Sequence, residues 1–140
     1  RDRTDAVLQI IQNRNETDKD VTSFTAMQWF NMSEFDGLMN VTLTVQQDSR
    51  ILVQFSSTHS LSSPASIWVR IVVDNALNST VYVCSIGPPS SGVFRIPGHV
   101  EFLTDALVAG QHTINVQFLR ENGSPAILDR TLTVMEIASP

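Results

Sequence analysis

Five of the eight asparagines stand in Asn-x-Ser/Thr triplets: Asn15-Glu-Thr17, Asn31-Met-Ser33, Asn40-Val-Thr42, Asn78-Ser-Thr80 and Asn122-Gly-Ser124. A chain with this Ser/Thr content is expected to carry about one or two such triplets by chance. The chemistry they offer is N-linked glycosylation of a secreted or surface protein. The competing reading is a Ser/Thr-rich phage or bacterial protein in which the triplets go unused. Asn122 is the least favourable site of the five, because Pro125 follows its triplet.

Other residue types offer less. His59, His99 and His112 do not fall into a zinc-ligand pattern, and no metal or cofactor is expected, although a calcium ion held by oxygen ligands from separate loops is left open. Asp36-Gly37 and Asp74-Asn75 read as turns. Glu34, Asp36, Glu101 and Asp105 are the carboxylates that a glycoside-cleaving site would have to pair, and nothing in their spacing brings them together. There is neither a nucleophile elbow nor a phosphate-binding loop. No catalytic residue is therefore assigned, and the chain is expected not to be an enzyme. Trp29, Phe30, Trp68 and Tyr82 suit either a sugar-binding platform or a core and subunit interface. Cys84 is the lone cysteine, expected as a small buried residue, so intrachain disulfides play no part.

The bulk numbers narrow the class. A length of 140 residues with 42% hydrophobic content is enough for one domain with a real core. The charged fraction of 16% is low, with Ser, Thr, Asn and Gln on the surface instead. Net charge is −5 and the nine basic residues are scattered, which argues against a nucleic-acid partner. No apolar run approaches the ~18 residues of a membrane helix, so no membrane insertion is expected. The first residue is Arg1 rather than Met, which favours a cleaved leader or a piece of a longer protein.

Positioning falls to strands. Residues 1–20 are set apart by charge around Ala6-Val-Leu-Gln-Ile-Ile-Gln12. Val7, Ile10 and Ile11 suit a short stalk helix and a donated strand equally well, because the run is too short for periodicity to decide. From Val21 onward the pattern predicts strands at Phe24–Phe30, Leu38–Gln46, Ile51–Ser57, Ile67–Asp74, Thr80–Ile86, Val93–Ile96 and His99–Asp105. Gly110–Glu136 reads as a closing hairpin that reverses at Arg120–Pro125. Turns fall at Gln47–Arg50 and Asn75–Ser79, and loops at Ser56–Ser66 and Gly87–Gly92. This regular spacing predicts an all-β fold, a jelly-roll β-sandwich of about eight to ten antiparallel strands over residues 21–140, with residues 1–20 as a short N-terminal extension. Ile67-Trp-Val-Arg-Ile-Val-Val-Asp74 is apolar on both faces. That marks Trp68 and Val72, with Val7, Ile10 and Ile11, as candidate subunit-interface residues.

The succession Ile51-Leu-Val-Gln-Phe-Ser56, Ile67–Asp74, Leu107-Val-Ala-Gly-Gln-His-Thr-Ile-Asn-Val-Gln-Phe118 and Asp129-Arg-Thr-Leu-Thr-Val-Met-Glu-Ile137 resembles the jelly-roll heads grouped with tumour necrosis factor and the complement globular heads. The likeness is nearest to those heads on surface fibres and collagen-like chains, and it covers about residues 21–137. It implies a ten-stranded homotrimer at the tip of a fibre, active in binding or assembly. The Gly-x-y repeat of a collagen stalk is missing from this stretch. The expected function is a non-enzymatic extracellular or surface-displayed head for adhesion, receptor binding or fibre termination, on a cell or a virion. Its partners would be copies of itself and a cell-surface protein or glycan. The alternative is a filament subunit polymerised by donation of the N-terminal strand into a neighbour. A carbohydrate-active enzyme is the remaining class.

Overall fold

The computed structural model describes residues 7–46, 49–87 and 93–138. Nine strands occur among them: β1 (Val7–Asn15), β2 (Lys19–Asp20), β3 (Trp29–Asn31), β4 (Asn40–Val45), β5 (Ser49–Val73), β6 (Leu77–Asn78), β7 (Tyr82–Ile86), β8 (Val93–Leu103) and β9 (Gly110–Ala138). All described pairings are antiparallel. The fold is an all-β sandwich rolled from one curled sheet.

Its frame is a single ribbon. β5 and β9 pair from Ser49↔Ala138 to Val73↔Ile114, far beyond the usual strand of about five or six residues. A twisted ribbon of that length must bend, and the ladder slips at Ser57/His59, Ser62/Ser66 and Ser66/Ile67. The bend divides the ribbon into two halves that face each other across one core. In the first sheet, β1 pairs the C-terminal half of β9, and β8 pairs the N-terminal half of β5. In the second, β3 and β4 pair the N-terminal half of β9, while β7 and β6 pair the C-terminal half of β5. Strand periodicity selects the inward side chains: Ile51, Val53 and Phe55 then Ile67, Val69 and Ile71 on β5, and Ile114, Val116 and Phe118 then Leu132 and Val134 on β9. Phe118 is the hub, with Phe24 and Phe35 meeting its ring edge-on at centroid separations of 4.9 and 5.7 Å.

Three expectations change. Gly110–Glu136 is not a hairpin. It is one continuous strand that turns the corner between the sheets, and Asn122-Gly123 supplies its bulge rather than a reversal. Gly123, at φ 72°, lies against the Pro64 carbonyl and Ala65 so tightly that a Cβ has no room. Ser56–Ser66 is not a loop either. His59, Leu61 and Ala65 are buried from it at alternate positions. Pro64 falls inside the slip between Ser62 and Ser66, where its missing N–H removes no ladder bond. Similarly, Pro97-Gly98 does not split β8, because that strand has a ladder with β5 alone among the described residues and an edge tolerates proline.

Of the expected Phe24–Phe30 strand, only Trp29 and Phe30 join a ladder, in β3. Arg120 donates from Nε and Nη2 to the Phe24 carbonyl, which commits that backbone to a side chain instead of a ladder. The run Val7–Asn15 is extended and pairs in register with Arg130–Ile137 of its own chain, so the helical spacing of Val7, Ile10 and Ile11 does not express itself. The expected turn at Gln47–Arg50 and loop at Gly87–Gly92 lie partly outside the described residues.

Candidate functional site

The outer face of the first sheet is built in rows, because cross-strand partners share a face. One row runs Ile10, Met135, Leu52, Leu103 across β1, β9, β5 and β8. Ile10 is 59% exposed and Leu103 47%, with Met135 and Leu52 half-buried between them. Beyond it lies Val7 beside Ile137, with Val7 half exposed. These side chains form an apolar band over four strands. Val7 and Ile10, named from the sequence as interface candidates, lie in it. Ile11 instead turns inward and packs on the core. Leu52, Leu103 and Met135 were missed. The available signal was the apolar residue standing next to each inward one, as in Ile51-Leu52-Val53 and Val134-Met135.

The next two rows are polar: Gln12, Thr133, Gln54, Glu101 and then Arg14, Thr131, Ser56, His99. His99 and Glu101, two apart on β8, point the same way. The Nε2 of His99 is 3.0 Å from Glu101 Oε1, and its Nδ1 is 2.7 Å from Ser56 Oγ. The hydrogen bonds from His99 and then Gln54 hold the Glu101 carboxyl below its ordinary range. This is a Ser–His–carboxylate relay in outline. However, Ser56 is mid-strand with a partner on either side, so its own N–H is committed to the sheet and is not free to hold an oxyanion.

Around this relay lies a groove of about 520 Å³, lined by Arg14, Ser56, Thr58, His99, Asp129 and Thr131 among others. Its floor is rigid. The Tyr82 ring lies under Gly98 with no space for a Cβ. The Tyr82 hydroxyl sits 2.6 Å from His59 Nε2, which Ser57 Oγ also reaches at 3.1 Å. His59 is completely buried, and desolvation holds its imidazole down to about 4. The same burial pushes the Tyr82 phenol well up. Below the rim, buried Arg130 donates from Nε to Asp36 Oδ2 at 2.6 Å and from Nη1 to the carbonyls of Thr17 and Leu128.

The outer face of the second sheet differs. Trp29, Leu119, Trp68 and Val83 share a row, and the Arg70 guanidinium stacks 4.1 Å from the Trp29 ring centroid. Arg70 Nε donates to Gln117 Oε1, and Gln117 Nε2 donates to Asn31 Oδ1. Asn40 Nδ2 donates to Asn115 Oδ1. Val72, expected at a subunit interface, is 3% exposed. It is already covered within its own chain, in the row that carries Asn40, Asn115 and Asn78. Trp68 is half-buried on this same face. Trp68 and Val72 therefore do not join Val7 and Ile10 in one patch, since they lie on the opposite side of the sandwich.

The sequons divide between these faces unevenly. Asn40 and Asn78 end one row of the second sheet and Asn31 heads the adjacent row. Asn122 is exposed at the bend of the ribbon. Asn15 closes β1, where its Oδ1 accepts from the Thr17 N–H. None of the five belongs to the rows of the first sheet's outer face.

The remaining candidates are dispersed over the fold. Asp36 is buried against Arg130 and also accepts from the Leu38 N–H. Asp105 is exposed near Arg50, Glu34 is exposed, and Glu101 serves His99. His112 bridges Asp74 and the Val108 carbonyl. Desolvation opposes its charge, but those two acceptors outweigh it and raise the imidazole above its ordinary value. Cys84 is buried beside the core, and burial pushes its thiol up. Among the described residues no three His, Cys, Asp or Glu side chains gather as a metal would require, and no helix is long and apolar enough to cross a membrane.

Neither a protein-family model nor a curated protein matches the sequence. Among solved structures, the chain is similar to part of dimeric latent PorU from Porphyromonas gingivalis, at 10% identity and a TM-score of 0.50, over 93% of this chain and 13% of that one. It also aligns with the carbohydrate-binding module CBM6cm-2 of Cellvibrio mixtus lichenase 5A, solved with cellotriose, at 11% identity and a TM-score of 0.37, over 91% of this chain and 97% of that one. At these identities the PorU likeness bears on the fold alone: the chain shares an antiparallel β-rich fold with a segment of a much longer protein.

Proposed function

We propose that this chain is a non-catalytic, surface-displayed jelly-roll head that assembles into a homotrimer, with adhesion, receptor binding or fibre termination as its role. One observation carries the reading. The apolar band of Val7, Ile10, Leu52, Leu103 and Met135 crosses four strands of an outer face that holds none of the five sequons. Burying such a band stabilises association by about 25 cal/mol for each Å² of apolar surface removed from water. Glycans on Asn31, Asn40 and Asn78 would shield the other sheet and leave this face as the one open to a neighbour. The resemblance to tumour necrosis factor and complement heads supplies the expected stoichiometry of three, and the sequons support an extracellular setting.

The test pairs one substitution on each face. Leu103→Arg is expected to dissociate the assembly with the fold intact, because the side chain is exposed. Val83→Arg, also exposed on the second sheet, is expected to leave it assembled. The reverse pattern removes the reading. Peptide mapping of glycans is expected to find Asn31 or Asn78 occupied.

A second reading keeps the same β9 edge but changes the occupant. Because β1 has a ladder with β9 alone among the described residues, the β1 of a neighbouring copy could lie there instead and propagate a filament. Removing residues 1–20 then blocks polymerisation, whereas a trimer held by the apolar band loses Val7 and Ile10 but keeps Leu52, Leu103 and Met135.

A further inference from the structure

The groove at the polar end of the first sheet is a separate feature from the apolar band, and we infer that it is a binding site for a neutral sugar, held through a pair of adjacent hydroxyls. The inference does not depend on trimer formation.

The geometry starts from a slip in the ladder. Ser57 pairs Arg130 and His59 pairs Ile127, so β9 carries one residue more than β5 across this interval. A bulge of this kind re-aims the side chain it carries, and Asp129 emerges on the groove. Its carboxylate lies 3.9 Å from the Arg14 guanidinium across the rim. A carboxylate only accepts and a guanidinium only donates. Two neighbouring hydroxyls do both, so a vicinal diol satisfies Asp129 and Arg14 together. Ser56, Thr58 and Thr131 add hydroxyls of either polarity, and Ser56 is already oriented by His99.

Charge selects against ionic ligands. Arg14 and Asp129 balance in charge on the groove's lining, and Glu16, 3.0 Å from Arg14 and outside that lining, leaves the wider rim at one negative charge. A ligand carboxylate would meet Asp129, and a ligand ammonium would meet Arg14. Size agrees as well, since about 520 Å³ lies within the ~300–1,000 Å³ range of small-molecule sites. The floor needs no rearrangement, because Gly98, Tyr82, His59 and Ser57 are locked together, which lowers the entropic cost of binding.

The experiment titrates the 140-residue chain with methyl glycosides of glucose, mannose and galactose, and with glucuronate and glucosamine as charged counterparts, following backbone amide signals by NMR. At least one neutral glycoside is expected to shift Ser56, His99, Asp129 and Thr131 selectively, and both charged sugars are expected to bind more weakly. Asp129 is exposed, so Asp129→Asn should fold normally. It should weaken binding by about tenfold, the effect of losing a charge-assisted hydrogen bond. Ser56→Ala should weaken it to a smaller extent. The inference is overturned if no neutral glycoside shifts these residues, if a charged sugar binds more tightly than every neutral one, or if Asp129→Asn binds as the wild type does.

Discussion

Replacing Asp36 by Ala tests how much the buried Asp36–Arg130 ion pair contributes to the stability of the fold. Both side chains are 2% exposed. Arg130 makes three hydrogen bonds: to Asp36 Oδ2 at 2.6 Å, to the Thr17 carbonyl at 2.8 Å and to the Leu128 carbonyl at 2.7 Å. The substitution removes the only anion among these partners and leaves a guanidinium in the core with two neutral carbonyls. Stranding a buried charge in this way costs about 3–5 kcal/mol. It also removes the acceptor for the Leu38 N–H at the start of the 3-10 turn before β4, which adds ~1 kcal/mol. Set against a total stability of ~5–15 kcal/mol, the loss is a large fraction. Urea unfolding of wild type and variant at neutral pH measures it from the midpoint and slope. Adding Arg130→Met to Asp36→Ala should recover part of the loss, since the stranded charge is then gone. A loss below ~1 kcal/mol for Asp36→Ala, or no recovery in the double variant, refutes the reasoning.

The buried His59 predicts a weakening on the acid side. Its folded value of about 4 lies below the unfolded 6.5, so the unfolded chain binds the extra proton between those limits. Stability is therefore complete above pH ~6.5 and declines by about 3 kcal/mol on the way down to pH ~4; His59→Gln should flatten that slope in urea unfolding across the interval. His112 acts in the opposite sense. Its value is raised, so its contribution is complete below pH ~6.5 and is lost as pH climbs through the folded value, a loss that Asp74→Asn should reduce. Gly98→Ala should destabilise by about 1–3 kcal/mol by displacing the Tyr82 ring, and the tyrosine near-ultraviolet signal should change with it.

Much of the fold was legible because period-2 burial survives at this level of detail. Val41, Leu43 and Val45, then Ile67, Val69 and Ile71, are inward as the alternation predicts. What misled was punctuation. Asn122-Gly123, Pro64 and Pro97-Gly98 carry the residue types of chain reversals, yet the same positive φ and missing N–H also serve bulges and edges in a strand that continues. Local chemistry does not say which, because the answer depends on a partner strand far away in the sequence, as with Pro97 against Thr58 and Asn122 against Ser66. The candidate site was legible in smaller part. Val7 and Ile10 were found through an apolar run, but their companions Leu52, Leu103 and Met135 come from three other strands and meet only through register. The groove was invisible, because Asp129 reaches it by a slip of one residue that no spacing in the sequence announces. The relay of Ser56, His99 and Glu101 had one local sign, the two-residue separation of His99 and Glu101 on one strand.

The central claim is that the apolar face of the first sheet is a self-association surface. Light scattering on the size-fractionated protein at micromolar concentration, with glycan mass subtracted, measures it most directly. The account predicts a polypeptide mass of three times the 15.5 kDa chain, falling to a single chain for Leu103→Arg. A wild-type protein that runs as a single 15.5 kDa chain under the same conditions contradicts it.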